Sequence, residues 1–200
     1  MTKQEIAQWI RGWMKDNPGC RELDSMYVDF RSYGADRLDI GALTKLIYGM
    51  NPLKYMTSIP DGMFYEGDCT DVIIPNNIKS IDNSAFYACS SLTSITIPDS
   101  VTNIGSSAFY GCHSLMSATI PDSVTNIGDY EFALCDQLII ITIGNSVTSI
   151  GNFAFYSCEE LTEINFTGTK SQWNSIRLGK SWDDKSALRF IKCTDGIIIL

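Results

Sequence analysis

Histidine is almost missing from this 200-residue chain, with His113 as the single instance. One imidazole leaves no histidine-based metal set and no obvious general base beside a nucleophile. No glycine-rich phosphate loop, zinc signature or nucleophile elbow appears either. Basic residues are nearly absent from a long central stretch. Between Ile59 and Thr167 thirteen acidic side chains accompany one cation, Lys79. Such a surface repels phosphate backbones and anionic lipid headgroups, which argues against nucleic acid as a partner. Long apolar runs are lacking as well. Residues 138–141 and 197–200 are aliphatic runs of four, far short of the roughly 20 residues a membrane-spanning helix needs. The first residues, Met1-Thr2-Lys3-Gln4-Glu5, lead into an amphipathic pattern rather than an apolar signal core. Together these absences predict a non-catalytic protein with no cofactor, no metal and no membrane span.

What the chain does have is apolar material and repetition. Hydrophobic residues make up 44% and aromatics 11%, enough for a packed core, while the net charge of −8 keeps it soluble. Phe86, Phe109, Phe132 and Phe155 lie 23 residues apart. Cys89, Cys112, Cys135 and Cys158 keep the same step, as do Pro75, Pro98 and Pro121, with Gly144 in the fourth place. A degenerate earlier copy runs from Ile59 to Phe64. Agreement over this many registers marks a repeat array.

Within one unit, Ile95 and Ile97 alternate with polar neighbours and predict a short strand with both isoleucines inward. Pro98-Asp99-Ser100 is turn chemistry that stops the strand. Val101 and Ile104 return to the core, and a compact turn from Gly105 to Cys112 carries Ala108, Phe109 and Cys112 inside. One unit cannot bury its own apolar edge, whereas stacked units can, with equivalent strands about 4.8 Å apart in a parallel sheet. The predicted fold is an α/β-type repeat solenoid with parallel short strands.

The unit, L-T-x-I-T-I-P-D-S-V-T-x-I-G-x-x-A-F-x-x-C-x-x, resembles the BspA-like (Treponema pallidum type) leucine-rich repeat family over roughly residues 55–200. Residues 166–173 (FTGTKSQW) and 193–196 (CTDG) resemble its C-terminal closing segment. The resemblance implies a leucine-rich repeat array and a binding role, often at a cell surface, and supplies no catalytic residues. The missing signal and the cysteines point instead to the cytoplasm, so the two lines of reading disagree on location.

The array is expected over residues 55–167, a C-terminal cap over 168–200 and a helical element over 1–54. In that element Ile6, Trp9, Ile10, Trp13 and Met14 share one helix face, and Leu38, Ala42, Leu43, Leu46 and Ile47 share another. A helical cap on the open end of the solenoid is the plain reading. The sharper reading rests on residues 30–39 (FRSYGADRLD), which resemble the phosphopantetheine-attachment region of acyl carrier proteins, F-x-x-x-G-A-D-S-L-D. Arg37 stands where that family has its serine and offers no hydroxyl, so carrier activity is excluded. That segment could still serve as a docking or self-association element.

The four-cysteine ladder is expected to be buried thiols, since side chains running parallel into a core suit a disulfide torsion poorly. Cys69 takes the strand position of Leu92 and reads as core, while Cys20 and Cys193 stand outside the ladder. His113 follows Cys112 at a turn and reads as a surface residue. Asp99 and Asp122 read as turn stabilisers, and Glu159, Glu160 and Glu163 as a solvated acidic face.

The outward sheet positions are the candidate binding surface for a protein or glycan. They are Asp71 and Ile73, Ser94 and Thr96, Ser117 and Thr119, Ile140 and Thr142, and Glu163 and Asn165. Thr96, Thr119 and Thr142 form a threonine ladder, which suits an exposed pleat. Met116, Ile139 and Ile140 interrupt the polar pattern. They predict a contact patch, the alternative being that Ile139 packs under a turn. Residues 197–200 could form an edge strand that pairs chains into a homo-oligomer.

Overall fold

The computed structural model describes residues 57–67 and 70–200. The carrier-like segment with Arg37, the two expected helices, Cys20 and Cys69 lie outside the described residues. Short strands follow one another coil by coil: β1 (Ser58–Ile59), β2 (Asp71–Ile73) and β3 (Ser80–Ile81), β4 (Ser94–Thr96) and β5 (Asn103–Ile104). Then come β6 (Ser117–Ile120) and β7 (Asn126–Ile127), β8 (Ile140–Ile143) and β9 (Ser149–Ile150), and β10 (Glu163–Phe166). A helix, α1 (Lys170–Asn174), precedes β11 (Arg177–Leu178), β12 (Phe190–Cys193) and β13 (Gly196–Ile199). The solenoid is therefore almost wholly β and turn, and α1 is the sole α-helix among the described residues.

Seven strands form one long sheet in the order β13-β12-β10-β8-β6-β4-β2, and two three-stranded ribbons, β1-β3-β5 and β11-β9-β7, line a second side. All pairs are parallel except β12–β13, an antiparallel hairpin at the end of the long sheet. The register advances by 23 residues at each step from β2 to β10 and by 27 at the last, so that Val72, Ile95, Ala118, Ile141, Ile164 and Ile191 pair across the long sheet. All six are buried.

The phenylalanines form one interior column. Phe64, Phe86, Phe109, Phe132 and Phe155 are fully buried, with successive ring centroids 4.9, 5.2, 5.3 and 5.6 Å apart and planes within 8° of parallel. These separations fall in the range aromatic pairs favour. Trp182 closes the column edge-on, 6.0 Å from Phe155. At that end α1 is fixed by a capping box between Thr169 and Gln172, and its buried Trp173 packs against Phe166 and Trp182. Truncating a ring in mid-column should cost about 3–5 kcal/mol. Phe109→Ala is expected to lower the unfolding free energy by that amount, read by circular dichroism as a lower urea midpoint at unchanged slope.

The cysteine ladder lies beside this column. Each S–H donates to the carbonyl of a phenylalanine one coil back: Cys89 to Phe64 at 2.8 Å, Cys112 to Phe86 at 3.2 Å, Cys135 to Phe109 at 3.2 Å and Cys158 to Phe132 at 3.1 Å. Burial pushes the Cys158 thiol up to about 12 and Cys135 well above the usual thiol range. These are unreactive core thiols.

Between coils, corner side chains cap the next backbone. Asn83 Oδ1 accepts from the Ser106 N–H, Asp129 from Asn152, Asn152 from Lys180 and Asp122 from Asn145, at 2.7–3.0 Å. Asp122 thus acts as a turn stabiliser. The glycine of each Ile-Gly pair permits the close approach, since a Cβ at Gly105 would stand 2.5 Å from the Asn83 backbone nitrogen.

One side chain breaks the interior pattern. Glu131 occupies the place of Ala85, Ala108 and Ala154 and is fully buried, with no side chain among the described residues hydrogen-bonded to its carboxyl and only the Gly128 backbone beside it. Its carboxyl lodges against Gly128, where a Cβ would lie 2.9 Å from Oε2. Burial raises its pKa well above the ordinary value of 4.5, with the adjacent Gly128 backbone opposing weakly. Below about pH 4.5 the group is protonated whether the chain is folded or not. As pH rises, the unfolded chain releases the proton while the folded one retains it, so stability falls until the raised folded pKa is passed. Glu131→Ala restores the repeat residue and should stabilise the protein by about 1–3 kcal/mol at neutral pH. Thermal melts from pH 4 to 8 should be flatter for the variant than for the parent.

Candidate outward binding face

Alternation along β2, β4, β6, β8 and β10 turns every second side chain away from the core. Strand pairing gathers these into columns. One column runs Ile73, Thr96, Thr119, Thr142, Asn165, Lys192 and Ile197, and its neighbour runs Ser94, Ser117, Ile140, Glu163, Phe190 and Ile199. Asp71 stands at the head of the second column by backbone register, opposite Ser94. The threonine ladder is therefore a physical row on adjacent strands, roughly 4.8 Å from rung to rung.

A third row lies just before the strands. The Met116 N–H donates to the Thr93 carbonyl, Ile139 to Met116, and Thr162 to Ile139. Met116 is 51% exposed and Ile139 52%, so Ile139 stands in solvent rather than under a turn. Ile140, half-buried, sits beside them between Ser117 and Glu163. Met116, Ile139 and Ile140 thus form a compact apolar patch on neighbouring coils, with Thr119, Thr142, Glu163 and Asn165 at its border. Thr96 lies one strand further along its column, and Ile73, 80% exposed, sits beyond it at the β2 end, apart from the patch. At the opposite end Ile197 and Ile199 carry both columns onto the hairpin.

The remaining candidate groups lie off this face. His113 Nδ1 is 2.7 Å from Asp136 Oδ2 in an exposed turn pair. Among the described residues no group of three or more His, Cys, Asp or Glu side chains is arranged to hold a metal ion, and no helix is long and apolar enough to cross a membrane. The described side chains of this face are alcohols, an amide, aliphatics, the Met116 thioether, the Phe190 ring and single charges. Such a face offers contact, hydrogen bonding and shape.

Sequence reasoning read residues 197–200 as an edge strand, and β13 does stand at the end of the long sheet, but it did not place Phe190, Lys192, Ile197 and Ile199 on the outward face. Their strand lies outside the 23-residue step, and a reversal of direction has no register signal. It also passed over tyrosines at recurring positions on another side of the coil. Tyr87 and Tyr110 are one repeat apart and Tyr156 two repeats further, a period that was available.

No curated protein sequence matches the chain. Among solved structures, a leucine-rich cell surface protein from Faecalibacterium prausnitzii is 38% identical with a TM-score of 0.44, and the match covers 52% of this chain and 34% of that one. A leucine-rich repeat protein from Bacteroides ovatus is 24% identical with a TM-score of 0.41, over 63% of this chain and 43% of that one. The leucine-rich repeat protein of T. pallidum is 24% identical with a TM-score of 0.34, over 56% and 66%. The chain spans about a third of the first of these and under half of the second. The model of the BspA type leucine rich repeat region matches residues 57–177 in six copies, and with more than half its length inside that match the chain belongs to this family.

Proposed function

We propose that this protein is a non-catalytic binding module that recognises a partner protein through the outward face of its long sheet, with Met116, Ile139 and Ile140 as the centre of contact. The observation that carries this reading is that two exposed apolar side chains, Met116 and Ile139, adjoin the half-buried Ile140 beside a row of threonines. Interfaces concentrate their energy in a few central apolar anchors ringed by polar groups. Glu163 gives the same face a negative charge that would favour a basic rim on the partner. The array frees the face for this role, since its core is complete without it. A cell-surface setting fits the reading; the F. prausnitzii relative is described as a cell surface protein.

Replacing Ile140 by lysine places a charge in the patch without entering the core. It should weaken capture of the cognate protein at least thirtyfold, the loss of about 2 kcal/mol typical of a central anchor. Reversing Glu163 and Asp71 together should weaken it further, while the melting temperature stays within a few degrees. The check is quantitative mass spectrometry of proteins retained by immobilised parent and variant from one native lysate, with a glycan array run in parallel. Identical retention by parent and variant would remove the sheet face from the account. A glycan hit lost in Ile140→Lys would keep the face and change the ligand class.

A further inference from the structure

A second surface lies on the turns that follow the phenylalanine column. Where Phe64, Phe86, Phe109 and Phe155 point inward, the next residue points out, and in these coils it is Tyr65, Tyr87, Tyr110 and Tyr156. Tyr65 stacks on Tyr87 at 4.9 Å and Tyr87 on Tyr110 at 4.7 Å, with planes within 10°. Ala133 leaves out one rung, and Tyr130 brings a ring in from the neighbouring position, stacked on Phe153 at 5.1 Å. Phe153 meets Tyr156 edge-on at 5.8 Å. Tyr87 and Tyr110 also share a hydrogen bond between their side chains.

The row ends on a cation from the chain itself. Lys185 Nζ is 2.6 Å from the Tyr156 hydroxyl and 4.9 Å from the centre of its ring, with Asp184 and Glu159 adding their negative charge. This is a cation held by a phenol edge, a ring and nearby carboxylates together. Lys185 lowers the pKa of Tyr156, chiefly through their hydrogen bond, whereas burial first and then the crowding of neighbouring phenols raises Tyr110. A positive charge is what the lysine-bearing end has and the Tyr65–Tyr87–Tyr110 end lacks.

We propose that this tyrosine ladder is a docking surface for a lysine- or arginine-bearing peptide segment of a partner protein, whose cations donate to the hydroxyls of Tyr65, Tyr87 and Tyr110 as Lys185 donates to that of Tyr156. Charge complementarity favours this occupant. The stretch from Ile59 to Thr167 carries thirteen acidic residues and one basic one, with Glu66 directly after Tyr65 and Asp129 directly before Tyr130. The ring faces in the stack are covered by one another, so the ladder presents hydroxyls and ring edges rather than flat platforms. That suits a row of hydrogen-bonding cations better than a sugar ring lying flat.

The test uses the full chain and a fluorescein-labelled nona-lysine peptide, titrated by fluorescence anisotropy at low and physiological salt. Tyr87→Ser with Tyr110→Ser should weaken binding about five- to tenfold, and Glu163→Gln on the sheet face should change it less than twofold. Lys185→Ala vacates the occupied rung and should strengthen binding several-fold more than Lys180→Ala, which removes the same charge from outside the ladder. That second pair keeps the test decisive if the double tyrosine variant does not fold. No binding by the parent protein would overturn the proposal. So would equal losses from the tyrosine and Glu163 variants, or equal gains from the two lysine variants, because either would mean diffuse attraction to an acidic protein. The Ile140→Lys experiment reads the other face, so either proposal can fail alone.

Discussion

A coil of 23 residues folds only because the next coil is there. The backbone N–H of Phe86 donates to Ala108, that of Phe109 to Glu131 and that of Phe132 to Ala154, so most main-chain partners lie one repeat away rather than within the unit. This requirement fixes the rest of the molecule. Like residues must stand above like residues, the rings must stack, and Ile-Gly must recur where the coils approach most closely. Stability becomes a sum over neighbouring coils rather than a property of one compact centre. The open end then needs a lid of another kind, which Trp173 and Trp182 provide.

The same constraint separates the residues that were legible in the sequence from those that were not. Phe86, Phe109, Phe132 and Phe155 had to align if the period meant anything, and the outward or inward sense of Thr96 or Ile97 followed from strand alternation alone. Residues governed by local backbone were harder to read. Ser84, Ser107, Tyr130 and Phe153 adopt positive φ of 53–57°, and so do Ala88, Leu134 and Ser157 at a second position in the coil, near 54–60°. Glycine marks that second position only at Gly111. Elsewhere the coil-to-coil hydrogen bonds impose a conformation that each residue alone disfavours by about 1–2 kcal/mol. No propensity scale reveals that. The two-residue strands of the ribbons were invisible for a related reason: a pair such as Asn126–Ile127 is too short to alternate.

The outward face was readable in its geometry but not in its ligand. Columns of Thr96, Thr119 and Thr142 are as expected from pleat packing as from recognition, so their regularity carries little information. Information lies where a column changes character. Met116 and Ile139 stand in a row otherwise occupied by Thr93 and Thr162, and Ile140 stands between Ser117 and Glu163. A solenoid allows such changes without disturbing the fold because the outward half of each strand contributes nothing to the stacked interior.

The departures from the repeat fall in two adjacent coils. Between Ile127 and Ile140 the chain replaces the repeat's alanine with Glu131, its tyrosine with Ala133, and its threonine and serine with Ile139 and Ile140, while Tyr130 enters where Ser107 had been. A buried carboxyl with no side-chain partner is destabilising anywhere. In a compact domain it would weaken the single core that every element shares. In an array the penalty stays with the coils on either side, and those retain intact phenylalanine and cysteine columns: Phe109 and Phe155 still stack on Phe132, and Cys135 and Cys158 still donate to their carbonyls. Nearest-neighbour stability thus explains how two adjacent coils can carry the apolar patch on one side, the break in the tyrosine ladder on the other and an ionisable group between them, while the columns through them continue unbroken.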